Sequence, residues 1–209
     1  MIAIIDYGVG NLFSLKSSLA AIGAETIVTG NPETIRRASK LILPGVGAFG
    51  DAAMLLRQNG LDKSVIKEAG NGKPLLGICL GMQLLFDYGT EYGQHAGLGL
   101  IPGSVRPVRE YIPNGYKIPH IGWNALRFPT GKPVSPLFRH IREGDFVYFV
   151  HSFCGADCEE SIIASAEYGG LLPAAVARGN VYGVQFHPEK SGDVGLNILR
   201  AFCEEGETC

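Results

Sequence analysis

The chain has 209 residues, of which 46% are hydrophobic and 18% charged, with a formal net charge of −2; this is ordinary globular composition and enough chain to bury one sizeable core. Its 18 Lys and Arg residues are scattered, which argues against nucleic acid as a partner, because phosphate binding needs a concentrated positive patch. No apolar run approaches the roughly 20 residues that span a bilayer, and Met1-Ile2-Ala3-Ile4-Ile5-Asp6 has no charged leader or cleavage site, so a cytoplasmic protein with no membrane association is expected.

Short aliphatic runs alternate with longer amphipathic ones through the first half. The pattern predicts a strand from Ile2 to Asp6, a helix from Leu12 to Ile22, and strands from Glu25 to Thr29 and from Lys40 to Pro44. Two helical stretches follow between Phe49 and Ala69, then a strand from Pro74 to Ile78 and a helix from Leu80 to Tyr88. Such alternation reads as successive βαβ units. Leu41-Ile42-Leu43 and Leu75-Leu76-Gly77-Ile78 are continuous apolar runs, as strands covered on both faces should be. From Leu98 to Tyr182 the rhythm changes to strand-like runs broken by Gly and Pro, notably Phe146 to Val150, Ile162 to Ala166 and Ala174 to Ala177. A strand from Val181 to Phe186 and a helix from Asp193 to Cys203 close the chain. The expected fold is therefore α/β: an open, mostly parallel sheet with helices on both faces plus an antiparallel extension. With no internal repeat and no linker-like stretch, residues 1–209 read as one domain.

The five cysteines, Cys79, Cys154, Cys158, Cys203 and Cys209, form an odd set, which argues for free thiols over a disulfide framework. Cys154 and Cys158 are spaced like half a metal site, but no second Cys/His pair accompanies them, so no metal and no other cofactor is expected.

Gly77-Ile78-Cys79-Leu80-Gly81 stands between a buried strand and a helix, the context of a nucleophile elbow, in which a reactive side chain is held out on a tight turn at the carboxyl end of the sheet. Side chains on either flanking glycine would collide with the adjoining strand or helix. The helix N-terminus favours the thiolate. The alternative is a small packed residue, a common fate for cysteine. Functional weight comes from His187-Pro188-Glu189 after the strand Val184-Gln185-Phe186: in extended backbone, residues two apart share a side, so His187 can face the thiol while Glu189 approaches its far ring nitrogen. A cysteine nucleophile needs a base, and the base a carboxylate to fix its tautomer. Cys79, His187 and Glu189 supply all three.

Leu43-Pro44-Gly45-Val46-Gly47-Ala48-Phe49-Gly50 is another strand-to-helix junction. Its glycines match G-x-G-x-x-G, but the dinucleotide fingerprint belongs to the first βαβ unit and wants an acidic residue at the end of the next strand, where this chain has none. The better reading is a turn whose backbone N–H groups, at Val46 and Gly47, join that of Leu80 in facing a developing oxyanion.

In the order PGVGAFG, GICLGMQ and HPEK, these pieces resemble the class I glutamine amidotransferases. Asp6-Tyr7-Gly8-Val9-Gly10-Asn11, Pro119-His120-Ile121-Gly122-Trp123-Asn124 and Tyr148-Phe149-Val150-His151-Ser152 narrow the resemblance to the branch that serves imidazole glycerol phosphate synthase, and it spans nearly the whole chain. The resemblance implies that Cys79 attacks the carboxamide of glutamine and forms a glutamyl thioester, with His187 moving the proton. It also implies that Gly47, Gln83, Glu91 and the Ser152-Phe153 backbone hold the glutamine, Glu91 pairing its α-ammonium. Family members often carry an aromatic hydroxyl where this chain has Phe153, so that one donor is missing. The implied partner is a separate (β/α)₈-barrel cyclase subunit that receives the ammonia, with Asn11, Trp123, Asn124, Tyr148 and Lys190 near the interface; Trp123 could equally be a core aromatic. The Val46 peptide, flanked by glycines, is an implied switch that completes the oxyanion site only in the assembled enzyme. Rival readings are a glutaminase for another synthase, such as those for anthranilate, aminodeoxychorismate or pyridoxal phosphate, which PHIGWN disfavours; a stand-alone Cys hydrolase; and a catalytically dead binding subunit, against which the complete Cys79, His187 and Glu189 set argues.

Overall fold

The computed structural model describes residues 1–206; Cys209 lies outside them. The first half alternates as expected: β1 (Ile2–Ile5), α1 (Leu12–Ala21), β2 (Thr26–Thr29), α2 (Pro32–Arg37), β3 (Lys40–Leu43), α3 (Phe49–Gln58), α4 (Leu61–Gly70), β4 (Leu75–Ile78) and α5 (Leu80–Leu84). The second half supplies β5 (Tyr88–Gly89), β6 (His95–Ala96), β7 (Ser104–Pro107), β8 (His120–Arg127), β9 (Phe146–His151), β10 (Phe153–Ala156), β11 (Ile162–Glu167), β12 (Leu171–Arg178), β13 (Val181–Val184) and α6 (Gly192–Cys203). Among the described residues the strands form a nine-stranded sheet, ordered β2-β1-β3-β4-β13-β12-β11-β8-β9, and a four-stranded one, ordered β10-β7-β5-β6. Pairing is parallel from β2 through β13 and antiparallel from β13 to β9.

The apolar strands divide their side chains between two layers. Ala3, Ile5, Leu41, Leu43 and Leu75 pack with Ile35, Leu56 and Val65 from α2, α3 and α4. Ile2, Ile4, Ile42, Leu76 and Ile78 pack on the other face with Leu15 and Leu19 of α1 and Ile198, Leu199 and Phe202 of α6. This is why β1, β4 and the Leu41–Leu43 stretch of β3 read as unbroken apolar runs: both faces are covered, and each fully buried Leu or Ile contributes roughly 1.5–3 kcal/mol.

Three departures from the sequence reading have local causes. The helix expected from Leu80 to Tyr88 stops at Leu84, and Tyr88 enters a short strand against Ala96 and Ser104. The short helix α2 was not predicted; Asn31 caps it, its side chain accepting from the Glu33 and Thr34 N–H groups, and Pro32 opens it, a start signal on a segment too brief to show periodicity. The last strand ends at Val184 rather than Phe186, and Pro188–Lys190 forms a 3₁₀ turn. Glu189 therefore does not continue an extended backbone, as the strand argument required, because Pro188 lacks the N–H a ladder needs and turns the chain instead.

Candidate active site

Strand order brings three separated pieces together. β4 lies between β3 and β13, with Leu43 beside Gly77 and Val184 beside Ile78. The Pro44–Gly47 turn, Cys79 and the Gln185–Glu189 segment thus all leave the sheet at its carboxyl edge, where open α/β sheets bind their ligands. Cys79 N–H still donates to Val184 O at 2.8 Å, so the nucleophile candidate is anchored to the neighbouring strand. Its backbone then turns sharply, with φ +54° and ψ −112°, a conformation that costs a residue with a side chain of order 1–3 kcal/mol. The flanking glycines make the turn possible. A Cβ on Gly77 would lie 2.6 Å from Gly81 O, and in the facing Pro44–Gly47 turn one on Gly45 would lie 2.7 Å from the hydroxyl of Tyr7.

His187 Nδ1 and Glu189 Oε1 are 2.8 Å apart, and both side chains are almost fully buried. Because the carboxylate can only accept, this contact assigns the proton to Nδ1 and leaves Nε2 as the nitrogen for the thiol. Nε2 and Glu189 Oε2 are buried without a hydrogen bond. Burial disfavours the imidazolium, but Cys79 and then Glu189 outweigh it and raise the His187 pKa to about 9. Backbone contacts hold the turn: His187 N–H donates to Tyr148 O at 2.9 Å, and Ser191 Oγ accepts from Tyr148 N–H at 3.0 Å and donates to His187 O at 2.7 Å. The Glu189 contact predicted from strand alternation is thus made by a turn.

A cavity of about 350 Å³ opens over Cys79, within the size range of small-molecule sites. Val46, Gly47, Leu80, Gln83, Glu91, Ser152 and Phe153 all line it, along with Pro119, Val150, His151 and His187. Every residue expected to hold glutamine or an oxyanion therefore borders one space. Leu80 opens α5, whose first N–H groups have no partner within the helix. Gly47 has φ +101°, which favours glycine. Glu91 Oε2 accepts from Phe49 N–H at 2.8 Å and so caps α3, whose own cap residue Ala48 supplies no side chain. Its other carboxylate oxygen remains for a ligand.

The expected partner-face residues cluster on the rim of this edge. Trp123 of β8 is directly opposite Tyr148 of β9; their rings meet edge to face at 5.9 Å, and Lys190 Nζ stands 5.9 Å over the Tyr148 ring. Trp123 is 52% exposed, which rules out the core-aromatic role. Asn11 caps α1 by accepting from Ser14 N–H and borders a small gap shared with Val46, His187 and Glu189. Asn124 differs from the others, for its amide is engaged internally, with His120 and with Glu167 O.

Comparison with known proteins gives the family. A model of "Glutamine amidotransferase class-I" matches residues 3–205. The chain belongs to the class-I glutamine amidotransferase family. Within that family it is 50% identical to imidazole glycerol phosphate synthase subunit HisH of Bacillus licheniformis, covering 97% of this chain and 95% of the relative. It is 48% identical to the subunit of the same name from Wolinella succinogenes, covering 99% and 100%. The amidotransferase fold extends to more distant solved structures: a chain of PurLQS from Thermotoga maritima superposes with a TM-score of 0.76 at 20% identity, covering 99% of this chain and 98% of that one.

The candidate site also contains polar residues that the sequence reading did not single out. Gln185, fully buried, donates through Nε2 to Cys79 Sγ at 3.7 Å and accepts through Oε1 from Gln83 Nε2 at 3.0 Å. Tyr7 donates to Pro44 O at 2.8 Å beneath the glycine turn, and burial followed by the Cys79 charge raises its pKa. The available signal was a glutamine between Val184 and Phe186 in an apolar strand, since a buried polar side chain must be paired. Cys154 and Cys158, by contrast, are buried and their thiols pushed up to about 12, chiefly by burial, the setting of an inert thiol. Among the described residues no group of three His, Cys, Asp or Glu is placed to hold a metal ion, and no helix is long and apolar enough to cross a membrane.

Proposed function

We propose that residues 1–209 act as one cytoplasmic domain, the glutaminase subunit of imidazole glycerol phosphate synthase, in which Cys79, His187 and Glu189 hydrolyse glutamine. The observation that carries the reading is the buried His187–Glu189 contact facing a strained, glycine-flanked Cys79 in a cavity of amino-acid size. Cys79 Sγ attacks the carboxamide carbon, and the oxyanion is met by the Leu80 N–H and by those of the Val46–Gly47 turn. His187 Nε2–H protonates the departing nitrogen, so ammonia leaves and a glutamyl thioester remains. Water then attacks the thioester while His187 takes its proton, releasing glutamate and restoring the thiolate. Glu189 keeps the proton on Nδ1 and stabilises the imidazolium. Glu91 Oε1 pairs with the α-ammonium of glutamine. Gln83 has committed both amide hydrogens to Phe153 O and Gln185, so its carbonyl oxygen is what it offers the ligand.

The naming of the relatives supports a second subunit. We take that partner to be a (β/α)₈-barrel cyclase that docks over Asn11, Trp123, Tyr148 and Lys190, receives the ammonia and forms imidazole glycerol phosphate and AICAR for histidine biosynthesis. The Val46 peptide completes the oxyanion site on assembly, and full glutaminase activity of the isolated chain would contradict that step. The catalytic assignment is tested by treating the assembled enzyme with diazo-oxo-norleucine and mapping the adduct: modification at Cys79 is expected, and modification elsewhere, with Cys79 untouched and turnover lost, would refute it.

A further inference from the structure

A continuous hydrogen-bond chain runs from the Trp123 side of the molecule to the nucleophile. Asn124 Nδ2 donates to Glu167 O at 2.8 Å, so Asn124 Oδ1 must be the atom facing His120 Nε2 at 2.7 Å, and that nitrogen must carry a proton. At the other end Gln185 Nε2 donates to Cys79 Sγ, Gln83 Nε2 donates to both Gln185 Oε1 and Phe153 O, and His151 Nδ1 lies 2.8 Å from the same Phe153 O. A carbonyl oxygen only accepts, so His151 Nδ1 is also protonated. These two fixed ends meet at His120 Nδ1 and His151 Nε2, 2.9 Å apart. If both rings were neutral, each would already have spent its single proton, and two lone pairs would face each other in a buried contact.

We infer that His120 and His151 share one additional proton, and that this singly charged pair is a positioning device that holds the Phe153 wall of the glutamine cavity. The pair cannot resolve its contact by turning. A half-turn of either ring would break its outer contact, with Asn124 for His120 or with Phe153 O for His151; smaller rotations are opposed by the stacking of His120 between Phe149, at 4.9 Å, and Tyr168, at 4.0 Å, and both histidines are buried. Burial lowers the affinity of each ring for a proton, that of His151 to about 4, against the opposing pull of Asn124 on His120 and of Phe153 O on His151; the shared proton rests on the facing geometry, in which neutral rings would set two lone pairs 2.9 Å apart. The titratable groups facing it are few. Tyr168 stacks on His120 with its hydroxyl turned to Lys117 O, the carboxylate of Glu167 is turned to Arg127, and the charge on His187 opposes one on His151. A single shared proton makes His151 a charge-assisted donor to Phe153 O, stronger than a neutral one, and among the described residues that line the cavity it leaves His187 as the one other group able to carry a positive charge.

The proton count can be read without reference to activity, by nitrogen NMR of the full chain carrying isotope-labelled histidine at about pH 7, with signals assigned through His120→Phe and His151→Gln. The expected result is that three protons are distributed over the four ring nitrogens of His120 and His151, one of them shared between the two facing nitrogens, and that His120→Phe, which keeps the stacked ring, leaves His151 with one. Two bare nitrogens in the unaltered protein would overturn the shared proton even if neither variant folds. The positioning half rests on the proposed function and is read in the assembled enzyme. There His120→Phe should raise the glutamine KM about tenfold, with a smaller change in kcat, as the loss of a charge-assisted hydrogen bond predicts. An unchanged KM in an enzyme that still turns over glutamine would assign the pair a purely structural role; loss of all glutamine turnover even without substitution would instead count against the function itself.

Discussion

Gly81 stands so close to Leu43 that a Cβ on it would lie 1.8 Å from the Leu43 carbonyl oxygen. The contact joins the helix after Cys79 to the strand before the glycine turn, and it sets how near the two sides of the proposed oxyanion site come. Two effects oppose each other in Gly81→Ala. Alanine is worth about 1 kcal/mol over glycine within a helix, but the methyl would have to displace strand backbone, and overpacking of this kind costs about 3 kcal/mol or more. The clash wins, so Gly81→Ala should lower stability by at least about 2 kcal/mol and abolish glutamine turnover, as denaturant unfolding and a glutaminase assay would measure.

Cys79 offers the reverse case. At φ +54° and ψ −112° a side chain is strained, and glycine is not. Cys79→Gly should therefore be more stable than Cys79→Ala by about 1 kcal/mol, a Tm difference of roughly 2–4 °C for a chain of this size, although glycine ordinarily loses to alanine. Both variants should lose glutamine hydrolysis by about 10⁴-fold or more. Thermal unfolding of the two side by side checks the sign; an alanine variant of higher Tm would remove the claim of strain.

The His187 ring binds its proton more tightly when folded, at about 9 against 6.5 for the unfolded chain. Its contribution to stability is thus fully present below pH 6.5 and is lost as pH rises through 9. Glu189→Gln removes one of the partners that raise this value, so the variant should be destabilised more at pH 6 than at pH 10. Unfolding curves at the two pH values give the comparison, and an equal loss at both would show that Glu189 does not stabilise the imidazolium.

What was legible in the sequence follows from where the signal is local. β1, β3 and β4 were readable because both their faces are buried and their residues, Lys40 and Gly77 aside, are aliphatic. The Cys79 elbow was readable because its two glycines answer a steric demand within five residues. The strand β8 was not picked out as a strand, since it mixes Gly122, Trp123 and Asn124 and takes its register from β9, some 20 residues away in the chain. The pairing of His187 with Glu189 was expected for the wrong backbone reason, the 3₁₀ turn after Pro188 doing what extended alternation could not. Gln185, His120 and His151 have partners 102, 31 and 31 residues distant, and nothing in a linear pattern announces such contacts.

Trp123 is half exposed and packed on Tyr148, the profile of an interface anchor. Trp123→Ala should weaken binding to the cyclase subunit by about 2 kcal/mol, roughly 30-fold, while changing the stability of the isolated chain by less than about 1 kcal/mol. Calorimetric titration and thermal unfolding separate these; unaltered affinity would place the partner elsewhere.

The central claim is that Cys79 makes ammonia from glutamine for a second subunit. It is tested most directly by mixing this chain with a (β/α)₈-barrel cyclase, supplying glutamine and the ribulosyl nucleotide, and following imidazole glycerol phosphate. Product should form with glutamine, and with Cys79→Ala it should form only when free ammonia is added. Product from ammonia but none from glutamine with the unaltered chain, or undiminished glutamine-dependent product with Cys79→Ala, would contradict the account.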